Sequence, residues 1–165
     1  MKLKKLKTLP ELRKAVDRER RSGKKIVLAN GCFDLIHVGH IRYLKGARAK
    51  GDVLVVALNS DASVRSLKGK GRPLLAAEER AEILAAFEFV DYLTIFPEAN
   101  VEKILLAIRP DVHAKGSDYT VETVPERKTV RKLGGEIYIA GGPKVRSTSD
   151  IIRDIADRSK PGAVE

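Results

Sequence analysis

Apolar residues in this chain fall into short runs with two different rhythms. Val53-Leu54-Val55-Val56-Ala57-Leu58 is continuously apolar, the pattern of a strand covered on both faces. Residues 26–30, 91–96, 111–115 and 136–140 read as four further strands. Between them the period is helical. Thr8-Leu9-Pro10-Glu11 is a capping box with proline in the first turn, and Leu9, Leu12 and Val16 then share one face until the stop near Gly23. Helices are also expected over 41–50, briefly after Asn59-Ser60-Asp61, over 76–87 with Ile83 and Leu84 inward and a charged outer face, and over 101–108 before Pro110. A basic helix over 124–133 ends at Gly134-Gly135, and a last one spans 149–157. Lys68-Gly69-Lys70-Gly71-Arg72-Pro73 has no regular period and is expected to be a mobile basic loop; the tail from Ser159 is expected to fray.

Strands that alternate with helices of about ten residues predict a single doubly wound, Rossmann-like α/β domain whose mostly parallel sheet has about five strands. Residues 1–24 read as an N-terminal helical extension, 25–158 as the domain and 159–165 as a flexible tail. Ligands of such folds bind beyond the carboxyl ends of the strands, where strand order reverses. Four polar stretches lie at strand ends: Asn30 to His40, Asn59 to Asp61, Lys115 to Asp118 and Lys144 to Ser149.

Composition narrows this further. The 165 residues suffice for one core, and the apolar runs are far shorter than the ~20 residues of a membrane span. The basic start, Met1 to Lys7, has no apolar stretch or cleavage site behind it, so no secretory signal is expected. One cysteine rules out an internal disulfide, and a cytoplasmic location is the default. A net charge of +10 fits nucleic acid or small polyanions. Basic residues interleaved with Glu and Asp, and few aromatics for stacking, favour small polyanions such as a nucleoside triphosphate and a phosphorylated metabolite. Neither nucleic acid nor membrane is an expected partner; a homodimer is.

The chemistry concentrates in Asn30-Gly31-Cys32-Phe33-Asp34-Leu35-Ile36-His37-Val38-Gly39-His40. A strand runs into a glycine-containing turn, and two histidines precede a helix whose amino end attracts anions. Gly39 leaves room for a ligand to approach the backbone. A zinc site is unfavoured, since beyond these two there remain one cysteine, Cys32, and one histidine, His113. Arg146-Ser147-Thr148-Ser149 offers hydroxyls at the first turn of the last helix, with an Arg whose donor fork matches phosphate. Lys68 and Lys70 stand in the glycine-rich loop. Asp34 fits three tasks equally well from sequence: orienting a histidine, fixing the turn, or helping to hold a metal–phosphate complex. Asp118 after the short strand fits an Asx turn.

The first stretch resembles the HxGH signature of the nucleotidyltransferase superfamily, which puts phosphate contacts on His37 and His40. Ser147 and Thr148 resemble the small-hydroxyl core of the second signature, and Lys68 resembles the loop lysine that moves onto the phosphates in cytidylyltransferase-like members. From residue 25 to 158 the chain is similar to the adenylyltransferases of bacterial ADP-heptose synthesis, through the NGxFDxxHxGH start, Asn59-Ser60-Asp61-Ala62-Ser63, the LKGxxRP loop, the AAFEFVD segment, Lys115-Gly116-Ser117-Asp118-Tyr119 and the RSTS end. The resemblance implies catalytic His37, His40 and Lys68. It implies nucleotide binding by Gly31, Cys32, Phe33, Gly39, Asn59, Lys115, Asp118, Arg146, Ser147 and Thr148, Cys32 having no chemistry of its own. Asp34, Lys70 and Arg72 fall to the acceptor. The implied substrates are ATP, accompanied by Mg²⁺, and a sugar phosphate; no protein-bound metal is expected. The alternatives are a cytidylyltransferase acting on glycerol 3-phosphate or another phospho-alcohol and, more remotely, a catalytically silent nucleotide-binding module.

Overall fold

A computed structural model describes residues 3–143 and 147–159. Five strands, β1 (Ile26–Gly31), β2 (Val53–Asn59), β3 (Tyr92–Phe96), β4 (Val112–Gly116) and β5 (Glu136–Ala140), form one sheet in the order β3-β2-β1-β4-β5. Every pairing is parallel. The chain winds outward from β1 to β3, crosses back to β4 and finishes at β5, so the switch point lies between β1 and β4. Those two strands are in register only through Ala29↔Ala114. Beyond that pair they part, and a crevice opens at their carboxyl ends.

Alternation along the strands explains the layers. Val27 and Ala29 of β1, with Leu54, Val56 and Leu58 of β2, face α2 (Val38–Arg48) and α4 (Ala77–Ala85). Ile26, Leu28, Val53, Val55 and Ala57 face the other way, onto α1 (Leu9–Arg21), α5 (Glu102–Ile108) and α6 (Arg127–Lys132). All seven residues of β2 are buried, as a continuously apolar strand between two helical layers requires. Replacing Leu54, fully buried, by Ala would cost about 2–5 kcal/mol. The short α3 (Asp61–Lys68) and α7 (Thr148–Arg158) flank the carboxyl edge.

Several expected boundaries shift, each for a physical reason. Leu12 and Val16 of α1 are fully buried, and Leu6 bridges Leu93 at the outer edge of β3. The Thr8 and Glu11 capping box is formed as the sequence predicts. α2 begins at Val38, not at residue 41, because His37 itself caps it. Lys68 ends α3 instead of starting the loop, with Gly69 at φ +92° closing the helix. α6 has only six residues, and Ile83 lies out at the surface while its neighbour Leu84 is buried. No helix among the described residues is long and apolar enough to cross a membrane. Residues 160–165, most of the expected tail, lie outside the described residues.

Candidate active site

The site grows from the turn that follows β1. Phe33 sits at φ +46°, a backbone region that costs a side-chain-bearing residue about 1–3 kcal/mol. Its ring is buried, with ring centroids 5.2 Å from His40 and 6.3 Å from Tyr43. A Cβ on Gly31 would come within 3.1 Å of that ring, so Gly31 is accounted for by Phe33 packing. The inverted backbone redirects the chain, and the packed aromatic ring holds it there.

The two histidines then close the head of α2 together. The His37 N–H donates to His40 Nδ1 at 3.4 Å, and the Gly39 N–H donates to His37 Nδ1 at 3.1 Å. In each neutral ring Nδ1 is therefore the acceptor and Nε2 carries the proton. The rings lie 3.9 Å apart between centroids. Burial, reinforced by the neighbouring His37, lowers His40 to about 4, with hydrogen bonding to the Leu35 backbone acting the other way. Burial lowers His37 as well, with Asp150 opposing. Two neutral imidazoles at a helix amino end make donors for an oxyanion, not proton carriers. The Gly39 N–H is already engaged by His37 and is not a free donor.

Asp34 is almost fully buried and accepts the N–H groups of Leu74 at 2.7 Å and Leu75 at 3.2 Å while pairing with Arg72 Nε. Of its three candidate tasks, this geometry is turn fixing, extended to the far loop. Arg72 is thereby drawn back to the histidine turn. Lys68 and Lys70 stay exposed and make no ion pair among the described residues. At the other side of the turn, Ser147 and Asp150 form a reciprocal cap on α7, and the Thr148 hydroxyl donates to the Leu35 carbonyl at 3.3 Å. That bond ties α7 to the histidine turn. Arg146 lies outside the described residues.

Asn59 is buried, its amide donating to Ser63 Oγ at 2.9 Å and its Oδ1 lying 3.9 Å from Cys32 Sγ. It braces the site from beneath. Burial raises the Cys32 thiol, which fits a packed side chain. Lys115 stands on the floor of the crevice, Nζ 3.3 Å from Asn30 Oδ1, 3.6 Å from Glu126 Oε2 and 4.7 Å from the Tyr119 ring centroid. Asp118 is exposed beside it.

Sequence reasoning missed Arg80. It is fully buried and donates to the carbonyls of Cys32, Asn59 at 3.0 Å and Leu75 at 3.0 Å, and it pairs with Asp61 at 2.7 Å. One guanidinium thus gathers the ends of β1 and β2 with the loop before α4. The signal was present: Ala77, Arg80, Ala81 and Leu84 follow the i, i+3, i+4, i+7 rule, so the helical period itself turns Arg80 inward.

Comparison with known proteins agrees with this architecture. The chain is 47% identical over 158 residues to the bifunctional protein HldE of Syntrophotalea carbinolica, a match that covers 96% of this chain and 32% of that protein. It therefore spans about a third of the length of the curated relatives it matches. Among solved structures, a lipopolysaccharide core biosynthesis protein from Thermoplasma volcanium superposes with a TM-score of 0.63 at 27% identity, over 73% of this chain and all of that one. The pantoate–beta-alanine ligase of Francisella tularensis shares the fold, with a TM-score of 0.62 at 16% identity over 87% of this chain and 68% of that one. The cytidylyltransferase-like family model matches residues 28–155, from β1 into α7, and the chain belongs to that family of nucleotidyltransferases.

Proposed function

We propose that this chain transfers AMP from ATP to the phosphate of D-glycero-D-manno-heptose 1-phosphate, giving ADP-heptose and pyrophosphate. The observation that carries nucleotidyl transfer is the pair of neutral imidazoles closing the head of α2 at the switch point. The heptose acceptor rests on the 47% identity to bifunctional HldE and on the resemblance of the Lys115 to Tyr119 loop.

The acceptor phosphate, with a second pKa near ~6, is already largely dianionic at neutral pH and needs no general base. Its oxygen attacks the α-phosphorus in line; the new P–O bond forms as the bond to the β-phosphate breaks, and pyrophosphate leaves with the electron pair. The protein's task is to hold two polyanions together and stabilise the developing charge. His37 and His40 supply neutral donors, Lys68 and Lys70 mobile positive charge, and the start of α7 closes over the phosphates. Among the described residues no three His, Cys, Asp or Glu side chains converge on a metal position. Mg²⁺ accompanying the triphosphate would neutralise charge on the leaving pyrophosphate.

The test is pyrophosphate release with ATP and CTP crossed against heptose 1-phosphate and glycerol 3-phosphate, at matched concentrations with Mg²⁺. ATP with the heptose should be fastest. CTP with glycerol 3-phosphate outpacing it would overturn the substrate assignment and leave the histidine chemistry standing.

A further inference from the structure

Positive charge is unevenly placed in this chain. Residues 1–25 hold 11 Lys and Arg against 3 Asp and Glu, a net +8 of the chain's +10. That stretch includes α1, which lies with α5 and α6 on one face of the sheet, α5 in the middle. The three helices carry ten basic and four acidic side chains. On the opposite face, α2 and α4 carry four and three. The expectation of no membrane partner rests on basic and acidic residues interleaved along the chain. In the fold they separate, and one broad side of the protein is basic.

The cations of that side point outward. Arg13, Lys14, Arg18 and Arg21 are exposed, and the last three follow at i, i+4 and i+7 down the face of α1 opposite buried Leu12 and Val16. α6 adds Lys128, Arg131 and Lys132, exposed around buried Val130. None of these seven enters an ion pair among the described residues. The four acidic side chains are already engaged: Glu11 in the Thr8 cap, Asp17 with Arg20, Glu19 with Lys24 and Tyr92, and Glu102 with Thr129. Leu106 of α5 stands out between α1 and α6, 54% exposed and three residues from exposed Lys103 and Arg109 on either side. Lys7, Lys14 and Arg18 also line an open hollow of about 240 Å³, whose one carboxylate is Glu11.

A partner for such a face is an extended negative surface. No residue of α1, α5 or α6 is aromatic, so nucleic-acid bases have nothing there to stack on. The cations are spread over three helices side by side, not gathered on one element that could enter a duplex groove. A continuous anionic sheet matches that spread, because each Lys or Arg held against it contributes by sign and proximity alone. Leu106 is placed to enter the head-group layer, and the hollow suits one lipid phosphate. We propose that the α1–α5–α6 face docks on the surface of an anionic phospholipid bilayer. The protein lies on the membrane there and does not span it. The β1–β4 crevice opens at the edge of the sheet, so docking leaves the histidine turn open to soluble substrates. The proposal is independent of which nucleotide and acceptor the chain uses.

Co-sedimentation of the full chain with vesicles tests it, using phosphatidylcholine alone or with about 30% phosphatidylglycerol, at about 50 mM salt where screening is weak. The unaltered protein should bind the anionic vesicles, stay in solution with the neutral ones, and be released at about 500 mM salt. Combining Lys14→Gln, Arg18→Gln and Lys128→Gln removes three charges from the face. Each is worth about fivefold in partition, so binding should weaken about 100-fold. Combining Arg42→Gln, Lys45→Gln and Arg158→Gln removes as many exposed charges elsewhere and should weaken it less than about fivefold. Thermal melting checks that both triple variants fold, and the salt series needs no variant. No binding to anionic vesicles at low salt overturns the proposal. Equal losses in the two triple variants overturn it too, because net charge and not this face would then govern binding. So does displacement from the vesicles by a DNA duplex of about 20 base pairs that binds more tightly through the same three residues, which would make nucleic acid the occupant.

Discussion

The two sides of the proposed phosphate site are built in opposite ways. The histidine turn is tied down at four residues: Phe33 by ring packing, Asp34 by two amides and Arg72, and His37 and His40 by backbone N–H groups. The lysine side is a helix end and a glycine-rich loop whose charges stand exposed. Neutral donors fixed in place stabilise charge without reorganising at the moment of reaction. Exposed ammonium groups on long stems keep their rotamer freedom until a polyanion draws them in. On the proposed reading, one side is prepared before the substrate arrives, and the other is completed by it.

That contrast breaks most sharply at the histidines. His37→Ala or His40→Ala should lower turnover by about 10²–10³-fold with the fold intact, measured by pyrophosphate release beside circular dichroism. Near-normal rates in either variant would remove the central claim. Lys68→Ala should come next, with a loss of roughly 10²-fold and an unchanged melting temperature, since Lys68 buries no core. Lys70→Ala should do less. The reverse order would move the phosphate lysine into the loop proper.

Those two sides also differ in how far the sequence disclosed them. The alternation of one continuously apolar strand with helical periods was enough for a parallel doubly wound sheet, since β2 can be buried on both faces only between two helical layers. The histidine pair was legible as chemistry. Its place as the cap of α2 was not, because imidazole is an unusual cap and the apolar period starts only later. Lys68 was placed in a loop because Gly69 and Gly71 follow it, whereas the helix runs on until the positive φ of Gly69 stops it. Asp34 depends on partners 38 to 41 residues away along the chain, and no local pattern encodes such contacts. For Arg80 the helical period did contain the answer, overridden by the habit of sending charge outward.

The join between the two sides is Asp34. Asp34→Asn should leave Arg72 without its counter-charge and weaken the anchoring of the loop at Leu74 and Leu75. Breaking a buried pair of this kind costs about 3 kcal/mol. A lower melting temperature and a several-fold higher KM for ATP are expected, with kcat less affected than in the histidine variants. If kcat fell as far as in His40→Ala with KM unchanged, Asp34 would belong to the chemistry and not to the join.

The last effect is electrostatic and separates the fixed groups from the exposed ones by pH alone. Burial depresses His40 to about 4 and His113 to about 3, against an ordinary value near 6.5 in the unfolded chain. Below about pH 6.5 the unfolded chain takes up protons that these two rings refuse in the fold. Stability is therefore complete above that pH and declines as the pH falls, through about 4 for His40 and about 3 for His113. Each ring contributes a slope of at most roughly 1.4 kcal/mol per pH unit. Urea unfolding from pH 7 to 4.5 should thus show a steady loss, shallower by about one proton in His113→Leu, where the unsatisfied Nδ1 also disappears. Lys68→Ala should reproduce the unaltered slope, because it removes neither ring. Equal slopes in the unaltered protein and His113→Leu would mean that the His113 imidazole, fully buried here, is solvated in solution.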